Sequence, residues 1–154
     1  MLEDPLRILI VEARDQEPIA EALLAGAQAA LKAAGTEVDV VSVPGPLELP
    51  GAIAMAEEGG HRPAGVRYDG YVALGCVMRG ETGHHQIVAT ESTRGLIDLA
   101  VGRRLAIGNG ILTVDTAAQA ARRAAPDELD RGGRAARDCL AVIGVRKRLL
   151  GTTR

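Results

Sequence analysis

Residues 70–91 read GYVALGCVMRGETGHHQIVATE, and the order of their patterns decides the fold. The apolar run 70–77 has the length of a buried strand. A polar turn follows, Arg79-Gly80-Glu81-Thr82-Gly83, and then His84 and His85. Beyond them Val88, Leu96 and Leu99 give the apolar side of a helix over 85–101. Strand, glycine turn and helix form the unit from which parallel α/β sheets are built. A turn that opens a helix leaves backbone N–H groups unpaired, and these suit an anion. Histidine has the unperturbed side-chain pKa nearest neutrality. The segment therefore suggests acid–base work on a small phosphorylated molecule. An ordinary strand-to-helix connection with solvated histidines has the same pattern.

The rest of the chain repeats the alternation. Residues 7–13, RILIVEA, form a short apolar run that predicts a strand. Ile19, Leu23, Leu24, Ala27, Ala30 and Leu31 have helical spacing over 18–34, with Pro18 in the first turn and Gly35 as the stop. Residues 37–43 predict a second strand, broken by Pro44-Gly45-Pro46. A short helix is expected over 52–57 and a loop over 58–68. Residues 105–114 predict a fourth strand, interrupted at Gly108-Asn109-Gly110. Two helices follow, 116–124 and 131–149, the first capped by Asp115 or Thr116. This order implies one domain over residues 1–154. It is an α/β three-layer sandwich with a four-stranded parallel sheet, flavodoxin-like, with helices on both faces. Ligands in such sheets sit beyond the carboxyl ends of the strands. The loops 13–17, 44–50 and 78–84 lie there, and the segment 109–113 is expected to join them.

Composition excludes several classes. The 154 residues can bury a sizeable core, and a net charge of −2 gives no sign of a nucleic-acid partner. No apolar run reaches the roughly 18 residues of a membrane span. The opening MLEDPLRILIVEA has acidic residues before its apolar run and lacks a basic leader, so a mature cytoplasmic protein is expected. Cys76 and Cys139 make no disulfide framework, and with three histidines they are a poor zinc set, so no metal is expected. There is no Phe or Trp, and the only tyrosines are Tyr68 and Tyr71. The core must therefore rely on Leu, Ile, Val and Ala, and a flat ligand must be sandwiched by aliphatic groups or by another subunit.

Four segments, in order, resemble one family. Residues 44–50, PGPLELP, are similar to the PG-x-x-E-[IL]-P loop of lumazine synthases. Residues 73–84, ALGCVMRGETGH, resemble their ALG-x-V-[IM]-RG-x-T-x-H segment. Residues 110–113, GILT, with Gln119-Ala120, resemble their G-[IV]-L-T…QA segment, and Arg123 and Arg131-Gly132 fall at the spacing of later basic residues. The resemblance covers residues 7–150. It implies condensation of 5-amino-6-(D-ribitylamino)uracil with 3,4-dihydroxy-2-butanone 4-phosphate. The products are 6,7-dimethyl-8-ribityllumazine, phosphate and water, in the penultimate step of riboflavin synthesis. No metal or organic cofactor takes part in the family's reaction.

Roles follow from the matched motifs. The resemblance makes His84 the general acid/base and His85 a packing or surface residue. Gly80, Glu81 and Thr82 would bind phosphate through backbone N–H groups, with Arg123 reaching in from a neighbouring subunit. Pro46, Leu47 and Glu48 would contact the ribityl pyrimidine, Glu48 accepting from its hydroxyls, and Cys76, Val77 and Met78 would line the ring. Cys76 is then an apolar spacer. Asp15, Leu47 and Asn109 stand where the family commonly has aromatics, so Asp15 and Asn109 are polar candidates for holding the pyrimidine. Arg131 replaces the family's Lys.

The resemblance also implies a homopentamer with active sites between subunits. Residues 124–130, AAPDELD, lack the Gly/Lys/Asn-rich kink of capsid-forming members, so isolated pentamers, or decamers made of two, are expected. The rival functions are a non-catalytic protein that binds or senses a ribityl compound, and a flavodoxin-like electron carrier. The near-absence of aromatics speaks against the carrier.

Overall fold

Two strands with both faces buried set the architecture. In a computed structural model that describes residues 4–80 and 82–153, these are β1 (Arg7–Ala13) and β3 (Gly70–Met78). Their near-continuous apolar runs suit the interior of a parallel sheet covered on both sides. The flanking strands are β2 (Glu37–Val43) and β4 (Ile107–Val114), giving a parallel sheet in the order β2-β1-β3-β4. The strand order is that of a flavodoxin-like sheet.

Helices cover both faces, as expected. On one side α1 (Glu17–Ala33), α4 (Ala117–Ala124) and α5 (Arg131–Leu150) pack against Ile8, Ile10, Val72, Leu74 and Leu112. On the other, α2 (Leu49–Gly59) and α3 (His84–Arg103) pack against Leu9, Val11, Tyr71 and Ala73. The core is aliphatic apart from Tyr71, whose side chain is fully buried, and the cysteines Cys76 and Cys139.

Three expectations change. The short helix over 52–57 is longer, because a 3-10 turn, Pro46–Glu48, leads directly into α2. Pro46 and Pro50 sit in first turns, where proline is tolerated. β4 is unbroken through Gly108-Asn109-Gly110, and Asn109 Oδ1 accepts from the Ile111 N–H at 2.9 Å. The segment 109–113 is therefore mid-strand, paired with 73–77, and does not join the loops at the carboxyl end. α3 starts one residue earlier than expected, at His84, and ends at Arg103. Its Leu96 is buried, but Ile87, Ile97 and Val101 are exposed, so it is apolar on more than one side. Thr116 is the cap of α4, its hydroxyl accepting from the Gln119 N–H at 3.1 Å.

Glycines let α5 come close. A Cβ on Gly108 would lie 1.9 Å from the Ala135 carbonyl oxygen, and one on Gly132 would lie 2.0 Å from the Leu23 carbonyl oxygen. With almost no aromatics to space the layers, backbone packs on backbone. Gly108→Ala should therefore destabilise the protein by about 1–3 kcal/mol, because the clash is with backbone that cannot rotate away. Gly51→Ala, in α2 with no atom within 4 Å of the new methyl, should be neutral or stabilising by up to about 1 kcal/mol. Urea midpoints of both variants check this, and equal losses would refute the close-packing argument.

Candidate active site

After β1 the chain passes to the face carrying α1, and after β3 it passes to the face carrying α3. Neighbouring strands whose connections leave on opposite faces open a crevice at their carboxyl ends. A cleft of about 350 Å³ lies there. Asp15 and Gln16 come from the β1–α1 loop, and Gly45, Pro46, Leu47 and Glu48 from the connection after β2. The end of β3 contributes Cys76, Val77 and Met78, the turn Gly80 and Thr82, and α3 His84, His85 and Val88.

The residues expected from the first three loops thus meet in one place. Glu81 lies outside the described residues. Asn109, Arg123 and Arg131 do not line the cleft. Asn109 is exposed on β4, while Arg123 is half-buried on α4 and donates to the Thr113 carbonyl at 3.1 Å. Arg131 opens α5 and is half-buried. Sequence reasoning missed Gln16, Gly45 and Val88 as wall residues, and read His85, which also lines the cleft, as a packing or surface residue. The signal for Gln16 and Gly45 was adjacency to residues already singled out.

A buried carboxylate holds the first loop. Glu12 is 1% exposed, and its Oε2 accepts from Arg14 Nε at 2.6 Å and from the Ser42 hydroxyl at 2.7 Å. Arg14 also donates to Glu21 of α1 at 2.5 Å. The ion pairs tie β1, β2 and α1 together immediately before Asp15. Charge-assisted bonds of this kind are among the stronger ones available. Partial desolvation by the cleft raises the Asp15 pKa, and the Glu48 charge raises it further. Cys76 is 3% exposed, and burial pushes its thiol up to about 11, which agrees with an inert spacer.

The charge of the cleft is one-sided. Its acidic groups are Asp15 and Glu48, and its basic groups are His84 and His85. Arg79 leaves the turn to meet Asp115 at 3.4 Å. Among the described residues the cleft is lined by Gly80 and Thr82 of the turn and by two imidazoles, and by no arginine of the same chain. His84 is exposed at the first position of α3, and the Thr82 hydroxyl lies 3.5 Å from its N–H.

A second cleft at the opposite end of the sheet is closed on itself. Its Arg146 donates to the carbonyls of Arg104, Asp69 and Thr153, and its Tyr71 donates to Glu57 at 2.7 Å. This arrangement ties the α5 end to the β3 and α3 ends and is structural. Among the described residues no group of three or more His, Cys, Asp or Glu could hold a metal ion, and no helix is long and apolar enough to cross a membrane.

Comparison with known proteins agrees with this geometry. The family model of 6,7-dimethyl-8-ribityllumazine synthase matches residues 5–147. A 6,7-dimethyl-8-ribityllumazine synthase 1 from Rhizobium meliloti is 56% identical over 145 residues, 94% of each chain. The Methylorubrum populi synthase is 53% identical over 141 residues, 92% of this chain and 83% of its own. The Bartonella henselae synthase is 53% identical over 143 residues, 93% and 90%. With nearly the whole chain matched, the protein belongs to the 6,7-dimethyl-8-ribityllumazine synthase family.

Proposed function

We propose that this cleft is where 5-amino-6-(D-ribitylamino)uracil condenses with 3,4-dihydroxy-2-butanone 4-phosphate, with His84 as general acid/base. The protein is a transferase of riboflavin biosynthesis. The single observation that supports the placement is the meeting of the Pro46–Glu48 turn, the end of β3 and the Gly80–His84 segment around one crevice. The binding-only alternative is not favoured, since the relatives are named as synthases.

The ribityl pyrimidine lies against Cys76, Val77 and Met78, with Pro46 and Leu47 as apolar walls and Glu48 accepting from ribityl hydroxyls. The butanone phosphate lies over the turn at Gly80, Glu81 and Thr82. The pyrimidine amine and the ketone form a Schiff base with loss of water. Phosphate then leaves, and ring closure with a second loss of water completes the lumazine. Each step moves a proton, and a placed imidazole supplies a factor of about 10²–10⁴. Holding two substrates side by side supplies much of the rest.

The missing arginine is taken from a neighbour. Arg123, Arg131 and Asn109 do not line their own chain's cleft, and in a homopentamer they complete the cleft of the next copy. Isolated pentamers, or decamers of two, follow from the absence of a Gly/Lys/Asn-rich kink in residues 124–130, and the cytoplasm is the site of action. A monomer is then inactive. Mixing the protein with both substrates and following absorbance in the lumazine band tests the activity, and no growth of that band would sink it.

His84→Ala should lower turnover about 10- to 10⁴-fold with substrate binding largely kept. Steady-state kinetics check this, and a larger turnover loss in His85→Ala would misplace the general acid/base. Arg123→Ala should weaken the phosphorylated butanone far more than the pyrimidine. Equal losses for both, measured by equilibrium binding, would assign Arg123 to folding or assembly instead.

Asp15 gives a pH test. Its folded-state pKa is raised, so its protonated form favours the fold. That contribution is present below the unfolded value of about 3.9 and is lost as pH rises through the folded value. Asp15→Asn mimics the protonated form and should raise the thermal midpoint slightly at pH about 7, with the gap closing at pH about 3. Pyrimidine affinity should fall in the same variant if the carboxylate accepts a hydrogen bond from the ring. Thermal scans across pH and a pyrimidine titration decide both points, and a gap independent of pH would contradict the first.

A further inference from the structure

His85 was expected to be a packing or surface residue, yet it is half-buried, lines the cleft beside His84, and makes a contact that His84 does not. Its Nδ1 lies 3.0 Å from the Thr82 carbonyl oxygen. A carbonyl only accepts, so Nδ1 carries the hydrogen and Nε2 of the neutral ring is left without one. The peptide bond is planar and trans, so fixing the Thr82 carbonyl also fixes the following Gly83 N–H, which points the opposite way. His85 thus sets the orientation of a peptide in the turn that opens α3.

We propose that His85 is a second member of the phosphate site. Its Nδ1–H pins the Thr82 carbonyl, and its Nε2 takes a proton from solvent when a phosphate dianion binds, returning it when phosphate leaves. The inference rests on the reading that the Gly80–Thr82 turn receives phosphate. Among the described residues the charged groups near His85 are few. His84 adjoins it, Asp15 and Glu48 stand in the same cleft, and Arg79 and Asp115 lie on the β4 side and pair with each other. Among the described residues the cleft's own chain offers an arriving dianion the imidazoles as the bases that can become cations, beside the fixed charge that the neighbour's Arg123 is proposed to add. A nearby negative charge favours the protonated ring. His84 must gain and lose protons during turnover, whereas His85 is held by its other nitrogen and is free to keep a charge. The division of labour gives His84 to the reaction rate and His85 to recognition of the phosphorylated substrate.

The test uses the intact oligomer and inorganic phosphate. Titration calorimetry at pH about 8, where an unperturbed histidine is mostly neutral, is run in two buffers of different ionisation heat. The slope counts protons taken up on binding, and the phosphate's own protons cancel between variants. Wild type should take up a measurable fraction of a proton per site. His85→Phe should lose that uptake and bind phosphate about three- to tenfold more weakly. His85→Asn places an amide donor near the position of Nδ1, so it should recover part of the affinity and none of the uptake. His84→Ala should keep the uptake. In kinetics His85→Asn should raise KM for the butanone phosphate and leave kcat nearly unchanged. An uptake that survives in His85→Phe, or one that disappears only in His84→Ala, overturns the proposal while leaving the phosphate site standing. Wild type that binds no phosphate at all overturns the phosphate reading itself.

Discussion

The molecule depends on β1 and β3 lying side by side with both faces covered. Each is apolar along nearly its whole length, so neither tolerates an edge position. Once they are adjacent and parallel, their carboxyl ends open together. The connection from β1 goes to the α1 face and the connection from β3 goes to the α3 face, and the gap between them is the cleft. No residue of the site has to be placed individually. The burial requirement of two strands places the loops, and the loops carry the chemistry.

The helix layers add a second constraint. With no Phe or Trp the chain has few bulky spacers, and the α5 layer approaches until Gly108 and Gly132 meet backbone of other elements. Close approach keeps β4 rigid beside β3, and β3 ends at Met78, where the ring of the substrate is proposed to rest. The Glu12–Arg14–Glu21 chain does the same for β1, fixing the backbone one residue before Asp15. Both walls of the crevice are therefore stiffened from behind. Only the turn around Thr82 has its local anchor within the cleft, the imidazole of His85.

Much of this was legible in the sequence, for a physical reason. Strand and helix periodicities are local, so the order of elements, the parallel sheet and the loops that meet could be read directly. The misses have one common cause, which is that the same residue type serves different purposes. Gly108-Asn109-Gly110 has turn chemistry, but the glycines are there to admit α5 and the Asn to cover its own strand edge. Pro46 and Pro50 look like breakers but start helical turns. His85 reads as a packing or surface residue because the family often has an aromatic there, and that resemblance says nothing about a bond back to the turn before the helix. That no arginine of the same chain lines the cleft among the described residues could not be read from spacing, because Arg123 and Arg79 are held by Thr113 and Asp115, contacts that only the fold makes.

Those contacts bear on how the site works. A cleft that carried its own arginine would bind phosphate in every folded chain, including one outside the assembly. Here the chain supplies the imidazoles and the turn, and the proposed second half of the charge comes from Arg123 of a neighbour. Phosphate binding and subunit association are then linked. An anion that bridges the two chains stabilises their contact by the same free energy that the contact adds to its affinity. Asp15 and Asn109, polar where the family resemblance implies aromatics, fit the same proposal. A stacking ring would act on its own, whereas polar groups at the heterocycle would gain most when the cleft is closed and water is excluded.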